Sequence, residues 1–145
     1  MVKKQKDKPT SRIVTGKRKI AIARAFVTDG TGKVRMNSIP LENWGSEYLR
    51  LWISEPLVLA GDVANKVDVD VTVKSGGIVG QAEAARMSIA KSLVNHFKDK
   101  NLYATYMQYD RNLLVYDPRR NEMHHGSGRG ASKRGSRRHK QRSKR

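Results

Sequence analysis

The chain has 145 residues, enough for one domain with a single hydrophobic core but too few for two well-packed domains. A formal net charge of +17 predicts a polyanionic partner, and RNA, DNA and an anionic membrane are the alternatives. The chain has no cysteine, which excludes disulfides and thiolate metal sites.

The positive charge is concentrated at the two ends of the chain. Residues 1–19 carry a net charge of +7 and residues 119–145 a net charge of +10, whereas residues 20–118 are neutral. We therefore predict a basic N-terminal extension over 1–15, a globular domain over 16–118 and an extended basic C-terminal tail over 119–145. The first residues include no apolar core of a signal peptide, and the chain has no apolar run of about 18 residues. We expect a cytoplasmic or nuclear protein that does not span a membrane.

The first predicted elements are two strands and a short helix. Residues 20–27 are rich in small and β-branched side chains and lead into Asp29-Gly30-Thr31-Gly32, which favours a hairpin turn. A second strand is expected at 33–36. The apolar side chains between Trp44 and Trp52 have the spacing of a short amphipathic helix, which is expected to end before Glu55-Pro56.

The central part of the sequence predicts a strand, a glycine-containing loop and a long helix. Residues 67–73 alternate valine with polar residues, which is typical of a half-buried strand. The loop begins at Ser75-Gly76-Gly77, and an apolar stripe then indicates a helix over 81–97. Of two shorter apolar segments, 102–109 carries three tyrosines and 113–116 is expected to form a final short strand.

Two basic clusters point to a nucleic acid. The C-terminal run from Arg129 to Arg145 alternates arginine with glycine and serine, so its guanidinium groups can pair with phosphates while the backbone comes close. A solvated or nuclear-localising tail is the alternative. The cluster Lys17-Arg18-Lys19 precedes the first predicted strand, which would fix three cations at the edge of the domain, and a solvated charge run is the alternative there.

Other candidate sites have simpler explanations. The loop Ser75–Gly80 before the long helix is either an anion site or a structural turn, and it lacks the GKS or GKT of a nucleotide-binding P-loop. Asp68 and Asp70 are Mg²⁺ ligands or, as we favour, the polar face of a half-buried strand. The histidines lack zinc-site spacing, and no catalytic signature occurs. We predict no metal, no cofactor and no catalytic residue.

Five segments together resemble one known family. They are GKRKIAIARA at 16–25, EPLVLAG at 55–61, SGGIVGQAEAARMSIA at 75–90, YDRNLLVYDPRR at 109–120 and SKR at 143–145. At these separations they are similar to ribosomal protein nine of the small subunit, and the LAG and YDR segments resemble its archaeal and eukaryotic branch. The resemblance implies an α+β domain, a four-stranded sheet with helices packed on it, situated in the head of the small subunit.

The same resemblance implies partners and contact residues. The partners are small-subunit rRNA, the peptidyl-site tRNA and neighbouring proteins of the head, with no membrane involved. The implied rRNA-contacting residues are Lys17, Arg18, Lys19, Gln81, Arg86, Arg111, Arg119, Arg120, Arg129, Lys133, Arg134, Arg137 and Arg138. The implied tRNA-contacting residues are Lys144 and Arg145.

The expected function is therefore that of a structural, non-enzymatic component of cytoplasmic ribosomes. Two alternatives come from other classes: a free nucleic-acid-binding protein, and an enzyme that uses the glycine loop as a phosphate cradle. Co-sedimentation with ribosomal subunits distinguishes the first alternative, and ATP turnover by the purified protein distinguishes the second.

Overall fold

The computed structural model describes residues 13–121, in which a five-stranded sheet packs against helices on one face. The strands are β1 (Val14–Arg18), β2 (Ala21–Asp29), β3 (Val34–Met36), β4 (Ile39–Pro40) and β5 (Val67–Lys74). The helices are α1 (Glu47–Ala60), α2 (Ile78–Phe97) and α3 (Lys100–Tyr109). Within 13–121, no helix is long and apolar enough to cross a membrane.

The prediction of a four-stranded sheet is wrong. The sheet has the order β1-β2-β5-β3-β4, in which β3 runs parallel to β5 and the other neighbouring pairs are antiparallel. Two of these strands, β1 and β4, have no clear sequence pattern: β1 is short and ends in charged residues, and β4 has only two residues. The predicted strand at 113–116 does not form, because a 3₁₀ turn over Arg111–Leu113 occupies the start of that segment.

The predicted hairpin between β2 and β3 is also wrong. These strands lie on opposite sides of β5, so the segment between them passes the end of β5 instead of folding back directly. Asp68 of β5 holds this connection: its Oδ1 accepts hydrogen bonds from the backbone amides of Thr31 at 2.8 Å and Lys33 at 2.9 Å. The strand β5 itself confirms the alternating pattern, with its four valines buried.

Helix α1 continues through Pro56, whereas the sequence predicted an end before it. Proline removes one backbone donor from a helix, a cost of about 3 kcal/mol in an exposed helix interior. Here Pro56 is buried in the core, and its carbonyl accepts a hydrogen bond of 2.6 Å from the hydroxyl of Tyr106 on α3. The helix ends at Gly61, whose positive φ of 58° favours glycine.

Small residues let α2 lie very close to the first two strands. Ala84 and Ser88 of α2 are buried, and they face Gly16 of β1. A Cβ at Gly16 would lie 2.1 Å from the Ala84 carbonyl oxygen and 2.7 Å from the Ser88 nitrogen. The position of β1, and of the cations at its end, therefore depends on the absence of a side chain at residue 16.

Candidate nucleic-acid interface

The predicted N-terminal cations lie at the end of a β-hairpin. Arg18 of β1 pairs with Ala21 of β2, so only Lys19 and Ile20 form the turn, with Lys19 at a positive φ of 53°. Lys17 and Lys19 are exposed, and within 13–121 neither forms an ion pair with a carboxylate. Strand pairing fixes the backbone of Lys17, and the tight turn fixes the backbone of Lys19, at the edge of the domain.

Arg18 has a different environment from its two neighbours. Its guanidinium forms ion pairs with Glu83 of α2 and with Asp117, which follows the last turn of the domain. Burial opposes the charged form, but hydrogen bonds and attraction from the two carboxylates outweigh it and raise the pKa of Arg18. Arg18 therefore connects the hairpin to α2 and to the C-terminal segment.

Asp117 also binds the first arginine of the predicted tail. Its carboxylate accepts hydrogen bonds from the backbone amide of Arg119 at 2.9 Å and from its Nη2 at 2.6 Å. These bonds to Arg119, reinforced by the bond from Arg18, hold the pKa of Asp117 well below its usual range. Next along the chain, Arg120 Nε donates a 2.8 Å hydrogen bond to the Tyr116 hydroxyl. The start of the tail is thus attached to the hairpin through one carboxylate.

Arg86 is occupied inside the protein. It is only 8% exposed, its Nη1 donates a 2.7 Å hydrogen bond to Asp110, and its Nη2 pairs with Glu55 of α1. Its guanidinium also lies 5.8 Å from the ring centre of Trp52. Burial opposes the charged Asp110 carboxylate, but hydrogen bonds from the Asn112 backbone and from Arg86 outweigh it and lower the Asp110 pKa.

Gly76 of the glycine loop Ser75–Gly80 has a structural role in the turn. Gly76 has a positive φ of 75°, and a Cβ there would lie 2.8 Å from the Cβ of Ala21. The side chain of Gln81, a predicted RNA contact, donates a 3.2 Å hydrogen bond to the carbonyl of Ser75 within the same loop. Packing and backbone geometry therefore account for Gly76 without a bound anion.

No group of three or more His, Asp or Glu side chains within 13–121 is arranged to hold a metal ion. Asp68 accepts hydrogen bonds from backbone amides. Asp70 Oδ1 lies 3.9 Å from Arg35 Nε on the neighbouring strand β3. These partners favour the structural explanation of the two aspartates.

The structure brings four predicted contact residues into one cleft. Lys17, Arg18, Arg86 and Arg119 line a cavity of about 190 Å³, together with Trp52 and the carboxylates Glu83, Asp110 and Asp117. Arg111 and Arg120 are exposed outside this cleft. The remaining predicted contacts lie outside the described residues; they are Arg129, Lys133, Arg134, Arg137, Arg138, Lys144 and Arg145.

Two further cations were missed by the sequence analysis. Arg24 and Lys74 are exposed on the sheet face opposite the helices, on β2 and β5. Each alternates with buried residues of its own strand, so the period-two pattern places it on the outer face. They lie near Lys17 because β2 is between β1 and β5, and this strand order could not be predicted from the sequence pattern.

Comparison with known proteins agrees with the family resemblance found in the sequence. A family model described as ribosomal protein S9/S16 matches residues 16–145. The protein named small ribosomal subunit protein uS9 of Pyrobaculum aerophilum is 49% identical over 115 residues, covering 78% of this chain and 81% of the relative. The uS9 protein of Methanococcus vannielii is 45% identical over 109 residues, covering 75% of this chain and 81% of the relative. Since the family model covers residues 16–145 and both relatives are at least 45% identical over most of their length, the chain belongs to the ribosomal protein S9/S16 family.

Proposed function

We propose that the protein is a structural constituent of the small ribosomal subunit that binds rRNA through its hairpin and its two basic ends. Membership of a ribosomal protein family supports a structural role in the cytoplasmic ribosome rather than an enzymatic one. The observation that carries the proposal is the connection Arg18–Asp117–Arg119, which joins the exposed cations of the hairpin to the start of the tail. The hairpin and the first residue of the tail would therefore face a polyanion together.

Charge neutralisation is the proposed physical role of the basic residues. Folded rRNA brings phosphates close together, and lysine and arginine side chains relieve their repulsion while counterions are released. Lys17, Lys19, Arg111 and Arg120 have exposed side chains for this task. For Gln81 and Arg86, which already bind groups of the protein, we propose a positioning role with any RNA contact secondary.

The proposal extends to the division of the chain and to tRNA. The extension 1–15 and the tail 119–145 would bind along rRNA, while the domain 16–118 packs on its surface and beside neighbouring proteins of the head. The tail would end at the peptidyl-site tRNA, with Lys144 and Arg145 as the contacts. This part of the proposal rests on the family resemblance and on the tail's charge of +10.

Sedimentation of a source-cell lysate through a high-salt sucrose gradient tests the main proposal. The protein would be quantified against small-subunit RNA in each fraction. We expect about one copy per RNA in the small-subunit peak. Recovery mainly at the top of the gradient would instead indicate a free nucleic-acid-binding protein, and the structural role would then be rejected.

The tRNA contact has its own test. Subunits carrying the protein without Lys144 and Arg145 should assemble normally but bind peptidyl-site tRNA more weakly. A matched control, K140Q/R142Q, removes the same charge while keeping the two terminal residues. Equal tRNA affinity for the truncated and control subunits would exclude a specific role for the end of the chain.

A further inference from the structure

The sheet leaves one face uncovered by the helices of the described structure. Along β2, Ala21, Ala23, Ala25 and Val27 are buried on the helix side, where α2 packs. Ile22 and Arg24 alternate with them and point to the opposite face. The same alternation along β5 buries its valines and leaves its polar residues on the open face.

Strand register brings three cations together on this open face, and Lys17, on the edge strand β1, also borders the cleft described above. Ile22 pairs with Lys17 of β1 on one side and with Lys74 of β5 on the other. Neighbouring strands lie about 4.8 Å apart, so the backbones of Lys17 and Lys74 are separated by roughly 10 Å. Arg24 follows two residues after Ile22 on the same face, between the exposed Thr15 and Thr72.

Carboxylates do not neutralise these three cations within residues 13–121. None of Lys17, Arg24 and Lys74 has an ion-pair partner there. The acids on the same face have other partners: Asp70 lies near Arg35, and Asp68 binds backbone amides. The cations therefore repel one another moderately at this spacing, and a bound anion would relieve that repulsion.

We propose that Lys17, Arg24 and Lys74, arranged around Ile22, form an open-face patch that binds the sugar-phosphate backbone of RNA. This inference rests on the proposed function and adds two residues, Arg24 and Lys74, to the RNA-binding surface. Charge complementarity identifies the partner, because three unpaired cations flanked by two threonine hydroxyls match phosphate oxygens. Strand pairing holds the backbones of these residues at fixed spacing, so only the side chains are ordered on binding.

The test compares two double variants that lose the same charge. R24Q/K74Q removes the two new cations of the patch, whereas K98Q/K100Q removes two exposed lysines at the junction of α2 and α3. RNA affinity would be measured for the full chain as a function of salt concentration, on small-subunit rRNA and on an unrelated RNA of equal length. Thermal unfolding would confirm that both variants fold like the unchanged protein.

Loss of two phosphate contacts should lower the steepness of log affinity against log salt by about 1.4 to 1.8. We expect this change for R24Q/K74Q and a much smaller one for K98Q/K100Q. The charge-retaining variant R24K/K74R should keep the slope of the unchanged protein. Equal slopes for the two glutamine variants would overturn the open-face patch.

A different result of the same experiment would contradict the proposed function. Equal affinity of the unchanged protein for small-subunit rRNA and for the unrelated RNA would count against a specific ribosomal role. The difference in slope between R24Q/K74Q and K98Q/K100Q is measured on each RNA separately. It therefore decides the patch whichever RNA the protein prefers.

Discussion

Asp117 binds Arg119, two residues further along the chain, through both the backbone amide and the guanidinium group. The same carboxylate binds Arg18 of β1. A single carboxylate therefore holds Arg119, the first residue of the predicted tail, next to Arg18 of the hairpin. Under the proposed function, this attachment keeps Arg119 near the cations of the hairpin and so raises its effective concentration at the bound RNA, and Asp117 should assist RNA binding despite its negative charge.

Replacing Asp117 by Asn should weaken rRNA binding by several-fold. A purely electrostatic effect would go the other way, because the variant gains one unit of positive charge. Asp62→Asn is the matched control, since Asp62 is exposed on the turn Gly61–Lys66 and its loss changes the net charge equally. Affinities measured at fixed salt would contradict the anchoring role if D117N bound as tightly as D62N.

Stability should fall in acid, with a contribution from Asp117. Its pKa is lower in the folded protein than the value of about 3.9 expected in the unfolded chain. Its contribution to the free energy of unfolding is therefore present above about pH 4 and is lost as the pH falls through the folded-state pKa. Urea unfolding at pH 5 and pH 3 should show a smaller loss for D117N than for the unchanged protein, and equal losses would refute the coupling.

A side chain at residue 16 should destabilise the domain. In Gly16→Ala the new Cβ would meet the backbone of α2 at 2.1 Å, and that backbone can move only with the rest of the helix. Overpacking of this kind typically costs about 1–3 kcal/mol. Gly77→Ala is the control, because its Cβ would enter open space. Chemical denaturation should separate the two variants clearly, and similar stabilities would disprove the close contact.

Removal of the Tyr106 hydroxyl should weaken the contact between α1 and α3. Tyr106 is fully buried, and its hydroxyl donates to the carbonyl of Pro56 at 2.6 Å. Tyr106→Phe should lower the free energy of unfolding by about 1 kcal/mol. Tyr103→Phe on the same helix should have little effect, because Tyr103 is 48% exposed. If urea unfolding gave the same midpoint for both variants, the hydrogen bond would contribute nothing measurable.

Arg86→Gln should reduce stability without changing the salt dependence of RNA binding. The variant leaves Asp110 and Glu55 without their shared partner, and because these carboxylates are 27% and 31% exposed, we expect a cost of about 1–2 kcal/mol, less than for a fully buried pair. Arg111→Gln on the exposed surface serves as the comparison. A lower salt slope in R86Q with an unchanged melting temperature would instead identify Arg86 as a direct RNA contact.

The sequence predicted elements whose pattern is local. The alternating valines of β5 and the apolar stripe of α2 were identified because each buries one face at a fixed period. The pairing of β2 and β3 was wrong because the turn residues at 29–32 do not reveal that β5 lies between the two strands. The end of α1 was wrong because burial of Pro56 offsets a local preference that the sequence pattern alone suggests.

The candidate site was predictable in its charges but only partly in its arrangement. Lys17 and Lys19 are exposed cations at the edge of the domain, as expected from their place before the first long strand. The carboxylate of Asp117 that binds Arg18 lies 99 positions away in the sequence. The carboxylate of Asp110 that binds Arg86 lies 24 positions away. Because such pairs are formed by residues distant in sequence, the sequence pattern could not show which cations are paired with a carboxylate and which are exposed without one.

In the part of the chain that the structure describes, helices cover a single face of the sheet, and the buried residues of β2 and β5 lie on that face. Successive residues of β2 and β5 therefore serve separate purposes: one residue secures the fold, and the next is available to a partner. Substitutions at the outward positions can alter affinity while leaving the melting temperature almost unchanged. Evolution can thus adjust the outer surface of these strands independently of the residues that hold the domain together.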